Sequence, residues 1–120
     1  MIRTIISVLD VKPAYPNHFK YTVVPIKDAP TEDIVAASAH AVEVIAESLR
    51  NGQNVLVHCH CGISRSVCVV IIYLMKHRGM TYQSALDFVQ SKRSMADPNE
   101  GFRVQMARLE TSIKHPGGVY

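Results

Sequence analysis

Residues 58–61 run His-Cys-His-Cys and are followed by Gly62, Ile63, Ser64, Arg65 and Ser66. Four metal-ligating residue types in a row pose the question of zinc. Structural zinc sites space paired ligands by about two to four residues and take a second pair elsewhere. On an extended chain, alternate side chains point to opposite faces. His58, Cys59, His60 and Cys61 therefore converge only through a sharp loop. No second pair exists, only isolated His18, His40, His77, His115 and Cys68. No metal and no cofactor is expected.

The other reading takes Cys59 and Arg65 together, with five residues between them. A loop of that length between a strand and a helix can wrap an anion the size of a phosphate. Its backbone N–H groups then point inward, and the helix beginning near Arg65 adds its positive end. His60, Cys61, Gly62, Ile63 and Ser64 form the wall, and Cys59 lies at the base. Gly62 allows the backbone angles that a tight anion loop requires, and Arg65 offers a planar fork for two phosphate oxygens. The absence of Gly-Lys-Ser/Thr excludes the loop of nucleotide triphosphatases. A free cysteine is only a few per cent thiolate at neutral pH. The same donors and the guanidinium favour the charged sulfur, so Cys59 is the candidate nucleophile.

Cleavage of a phosphate ester also needs a proton for the leaving oxygen. Residues 26–34, IKDAPTEDI, supply Asp28, Glu32 and Asp33. Glu32 and Asp33 are accounted for as first-turn charges of a following helix. Asp28 lies in a Pro-flanked loop with no capping duty and is the preferred acid.

The nucleophile requires a strand ending at Cys59 and a helix starting at Arg65. NVLVH (54–58) is a short strand, and SVCVVIIYLMKHRG is apolar nearly all round, as a central buried helix is. Lys76, His77 and Arg78 occupy its last turn and Gly79 ends it. Cys68, inside this helix, reads as a packing residue. Upstream, residues 2–9 and 21–26 read as strands, the second with Pro25 near its end. Residues 31–52 read as a helix with Thr31 as N-cap, Gly52 as stop, and Ile34, Ala37, Ala41, Ile45 and Leu49 on one face. Downstream, Thr81 opens a helix to about Lys92. Asn99 caps a last helix with Phe102, Met106, Leu109 and Ile113 inward. This order predicts an α/β fold: a central sheet flanked by helices, with the phosphate-binding loop between a strand and a buried helix.

The 120 residues suit one domain, expected over 1–115 with a loose tail at 116–120. A formal charge of +3 suits an anionic substrate but is too diffuse to argue for nucleic acid. Three cysteines, two of them in one tripeptide, do not make a disulfide framework, so a reducing, intracellular compartment is expected. The longest apolar run, Val67–Met75, is too short to cross a bilayer, and no membrane association is expected.

With these residues in place, the sequence resembles the cysteine-dependent dual-specificity protein phosphatases. HCHCGISRS matches that family's signature at His58, Cys59, Gly62, Ser64, Arg65 and Ser66. Asp28 with Asp33-Ile34 matches its general-acid loop. YLMKHRGMTYQSALDFVQSKR resembles the segment after the phosphate loop, and DPNEGFRVQM resembles the closing Pro-Asn, Gly-Phe and Gln pattern.

The resemblance implies roles for the matching residues. Cys59 attacks phosphorus and forms phosphocysteine, and Arg65 binds phosphate and stabilises its transition-state charge. Asp28 protonates the leaving oxygen and then activates water. Ser66 hydrogen-bonds the sulfur as it departs. His58 orients the loop from behind, or is a buried histidine satisfied by backbone. Asn99 holds the loops around the site, or serves as a helix cap. The matching segment opens directly at Met1, where members commonly carry a further strand and helix, so an open, shallow pocket is expected. Cys61 stands where Ala is frequent. No lysine lines the loop, which disfavours phosphoinositides.

The reading this supports is a phosphatase of phosphoproteins, acting on phosphotyrosine and on phosphoserine or phosphothreonine. Two alternatives are weighed beside it. One is a phosphatase of RNA 5′ ends, phospholipid or phosphorylated carbohydrate. The other is an idle phosphoprotein-binding module, which the presence of Cys59, Arg65 and Asp28 argues against.

Overall fold

A computed structural model describes residues 2–8, 20–58 and 64–114. The elements run β1 (Ile2–Ser7), β2 (Lys20–Val23), α1 (Ile34–Arg50), β3 (Asn54–His58), α2 (Arg65–Arg78), α3 (Tyr82–Lys92) and α4 (Glu100–Lys114). The three strands form one sheet in the order β2-β1-β3, and both pairings are parallel. A parallel sheet buries its central strand, and its members carry continuous apolar runs. Thr4, Ile5, Ile6, Ser7 and Val8 of the central strand region are all buried.

The expected elements form with shifted ends. The first strand stops at Ser7, although Val8 N–H still donates to His58 O at 2.8 Å. The second stops at Val23, short of the expected Ile26. Pro25 has no N–H to give the ladder, and Ile26 N–H turns back to Val24 O at 3.0 Å. The chain thereby leaves the sheet and enters the Asp28 segment.

Helix α1 starts two residues later than an N-cap at Thr31 would place it. Its N-cap is Asp33, whose Oδ1 accepts from Ala36 N–H at 3.0 Å. Thr31 instead belongs to the preceding turn, where Glu32 N–H donates to Ala29 O. Asn51 is the C-cap, and Gly52 follows it at φ 72°, a left-handed conformation that glycine adopts without strain. The buried face of α1 is also rotated from the expected one. Ile34, Ala41 and Ile45 are buried, but Ala37 and Leu49 face solvent, while Ser38 and Ser48 face inward. Ser38 is tolerated there because its hydroxyl donates to Ile34 O at 2.5 Å.

Helix α2 lies in the middle of the core. Val67, Cys68, Val69, Ile71, Ile72 and Met75 are almost wholly removed from water. It ends at Gly79 in the left-handed conformation, φ 67°, with Lys76, His77 and Arg78 in its last turn. Thr81 caps α3 by accepting from Ser84 N–H at 3.1 Å. On α4, Phe102 and Met106 are buried and Leu109 packs partly against the core. Ile113, expected inward, is exposed, since this last turn extends past the core. The C-terminal tail, 116–120, lies outside the described residues.

Candidate active site

Cys59, His60, Cys61, Gly62 and Ile63 lie outside the described residues; the strand that leads into them and the helix that leads out are described. On the strand side, His58 Nε2 is paired with Ser7 Oγ at 2.8 Å. This partner of the imidazole is a hydroxyl from the central strand. The two residues are also register partners, Ser7 opposite His58. A serine in the apolar run IRTIISVL was the available signal for such a partner.

On the helix side, Ser64 precedes α2 and is buried. It makes no side-chain cap to its own helix. Its hydroxyl oxygen instead accepts from Asn99 N–H at 3.0 Å. Arg65 is the first residue of α2, and its Nη1 donates to Ile26 O at 3.2 Å, two residues before Asp28. A guanidinium carries five N–H donors in a fixed fork, so this bond leaves the fork most of its donor capacity. Ser66 is buried in the first turn of α2, and Cys68 is fully buried one turn in, as a packing residue should be.

The acid-bearing segment is a turn whose carboxylates have separate duties. Asp33 caps α1. Glu32 Oε1 accepts from Lys27 N–H at 3.2 Å and so closes the turn on itself. Asp28 is exposed, and its Oδ1 accepts from Asn99 Nδ2 at 2.8 Å. Asn99 serves as a helix cap and makes two further contacts. Its Oδ1 caps α4 by accepting from Phe102 N–H at 2.9 Å, while its amide nitrogen reaches Asp28 and its backbone N–H reaches Ser64. One residue therefore joins the acid turn, the start of α2 and the start of α4. The segment before it is braced by Arg103, which donates to Pro98 O at 2.9 Å and pairs with Asp97.

Two further residues of α4 hold the same turn. Gly101 lies so close to Pro30 that a Cβ would overlap the backbone of Pro30. Gln105 spends both ends of its amide here: Nε2 donates to Glu32 O at 2.6 Å and Oε1 accepts from Ile34 N–H at 2.8 Å. Neither was singled out from chemistry alone. A glycine inside a predicted helix was the readable sign of a close approach at position 101.

His77 is engaged away from this region. It is paired with Glu43 at 2.7 Å and stacks on Tyr73. Among the described residues, no group of three or more His, Cys, Asp or Glu is arranged to hold a metal ion. No helix among them is long and apolar enough to cross a membrane.

Residues 1–112 match the family described as "Dual specificity phosphatase, catalytic domain". The chain belongs to that family. Among dual specificity phosphatases, it is 44% identical over 104 residues to Dual specificity protein phosphatase 1 of Arabidopsis thaliana, covering 87% of this chain and 52% of that protein. It is 41% identical over 109 residues to the Serine/threonine/tyrosine-interacting protein of Mus musculus, covering 91% of this chain and 49% of that protein. The chain thus spans about half the length of these relatives. The crystal structure of human DUSP28 superposes with a TM-score of 0.88 at 31% identity, over 94% of this chain and 80% of that one. These likenesses agree with the α/β fold, a central parallel sheet flanked by helices.

Proposed function

We propose that this chain is a cysteine-dependent phosphatase of phosphoproteins, hydrolysing phosphotyrosine and phosphoserine or phosphothreonine through a phosphocysteine. Residues 1–115 are read as one catalytic domain, with 116–120 as a tail. The observation that carries the assignment of the acid is the bridge from Asn99 to both Asp28 and Ser64. It ties the acid turn to the exit of the phosphate loop. Asp33 and Glu32, the competing carboxylates, are occupied by capping and by closure of the turn.

In the first step the thiolate of Cys59 attacks phosphorus. The S–P bond forms as the ester P–O bond breaks, and Asp28 delivers its proton to the departing oxygen. Arg65 and the N–H groups of residues 60–64 hold the equatorial oxygens and their developing charge. In the second step the Asp28 carboxylate takes a proton from water, which attacks phosphorus and releases Cys59. Ser66 donates to the departing sulfur. The chemistry calls for no metal or cofactor. Its partner is a phosphorylated protein rather than nucleic acid or membrane. A nucleophilic thiol fits a reducing, intracellular compartment.

Turnover of phosphotyrosine and phosphothreonine peptides, measured with EDTA present beside RNA 5′-triphosphates and inositol phospholipids, tests the reading. The expected result is peptide hydrolysis that EDTA leaves untouched and that Cys59→Ser abolishes. Activity surviving in Cys59→Ser overturns the covalent route, and preference for RNA or lipid overturns the substrate class.

A further inference from the structure

The acid turn, residues 26–33, has little of its own to hold it. After the buried Ile26 it is a turn of mostly exposed polar residues with one proline, Pro30, between a short strand and a helix. Its internal bonds are three: Ala29 N–H to Lys27 O, Glu32 N–H to Ala29 O, and Lys27 N–H to the Glu32 carboxylate. Outside contacts also locate it, from Arg65 at its start and from Asn99 and α4 further along.

Gln105 is the outside contact that controls both the turn and the helix behind it. Glu32 O belongs to the turn, and Ile34 N–H is the first orphan donor of α1. Asp33 satisfies Ala36 N–H but not Ile34. A single planar amide thus binds the last part of the turn and completes the cap, setting the angle at which the turn enters α1. Only a side chain with a donor and an acceptor side by side at this reach does both.

We infer that Gln105 is a positioning residue for the general acid: its amide keeps the turn in the register that presents Asp28 to the leaving oxygen. This rests on the assignment of Asp28 as acid. Gln105 touches no reacting atom; it acts through the backbone of Glu32 and the bond between Asn99 and Asp28. A misplacement of about 1 Å in a catalytic group costs on the order of 100-fold. Loss of the donor should therefore reach the chemistry without removing the acid itself.

Two variants of the full chain separate this from a general loss of structure. Gln105→Glu keeps the acceptor for Ile34 and loses the donor for Glu32 O. Gln105→Leu loses both. Each should lower kcat for alkyl phosphates and phosphothreonine peptides by about 10- to 100-fold. Turnover of nitrophenyl phosphate, whose leaving group needs little protonation, should change less than about threefold. In an Asp28→Asn background neither variant should add a further leaving-group-dependent loss, because both act through the same proton. Equal losses on both substrate types, or Gln105→Glu behaving as wild type, overturn the inference. If Asp28→Asn itself shows no leaving-group dependence, it is the acid assignment that fails instead.

Discussion

Asn99 donates its side-chain amide to Asp28 Oδ1 at 2.8 Å, joining residues 71 positions apart in the chain. One oxygen of this exposed carboxylate is thereby oriented. The same Asn99 holds Ser64, the residue before Arg65. The Asp28 turn and the start of α2 are thus referred to one fixed point.

If Asp28 is the acid, Asp28→Asn should reduce turnover by about 10²–10⁴-fold on alkyl phosphates, the range expected of general acid catalysis. The loss should shrink as the leaving group improves. A series of substituted phenyl phosphates measures this directly. The same dependence in Glu32→Gln or Asp33→Asn, and not in Asp28→Asn, would reassign the role.

Asn99→Asp separates the two duties of Asn99. Aspartate is as good an N-cap as asparagine, so the α4 start and the denaturation midpoint should be nearly unchanged. The donor to Asp28 is gone, however, and a like charge stands in its place. Turnover of poor leaving groups should fall by about tenfold or more, while Asn99→Ala should also lose about 1 kcal/mol of stability. Wild-type rates in Asn99→Asp would show that the bond to Asp28 is dispensable.

Gly101→Ala inverts a usual expectation. In an open helix the change would stabilise by roughly 0.5–1 kcal/mol. Here the added methyl meets the backbone of Pro30, which has no flexible side-chain end to yield. The variant should melt below wild type and lose activity on poor leaving groups. A higher melting temperature with unchanged activity would contradict the contact.

Acid lability should have identifiable sources. The hydrogen bond with His77 holds Glu43 below its ordinary pKa, and the Tyr82 N–H, then Lys114, do the same for Glu110. A carboxylate depressed in the folded state stabilises it fully above the unfolded value, near 4.5. That contribution is lost as pH falls through the lower folded value. Urea midpoints should thus drop as pH falls below about 4.5, and Glu43→Gln and Glu110→Gln should each flatten that drop. An unchanged slope in both variants would place the acid sensitivity elsewhere.

Periodicity and punctuation made most elements legible. Gly79, Thr81 and Asn99 mark real helix ends because each carries a local mechanism, a left-handed residue or a side-chain cap. The error at Thr31 has the same origin. Thr31 and Asp33 are both good caps in isolation, and the choice between them is made by the turn that Glu32 closes and by Gln105, 73 residues from Glu32. Local chemistry also made Asp28 a candidate by elimination, yet could not give its partner. The Ser7–His58 and Asn99–Ser64 contacts were hidden for the same reason: they depend on which segments the sheet and α4 bring side by side. The rotated face of α1 follows from packing, since Ser38 satisfies itself on the backbone and yields no polar signal against burial.

The concentration of brackets on α4 has a consequence in time. Synthesis proceeds from the N-terminus at about 5–20 residues per second, so Asn99 leaves the ribosome a few seconds after Cys59. Through that interval the growing chain holds Cys59 and Asp28 but lacks the residue that joins the Asp28 turn to Ser64. If the proposed roles hold, a nascent chain stalled before Asn99 should react with a thiol alkylator yet hydrolyse no alkyl phosphate. On that reading release of Asn99 and the α4 segment coincides with the onset of turnover, and comparing chains arrested on either side of it would test the step.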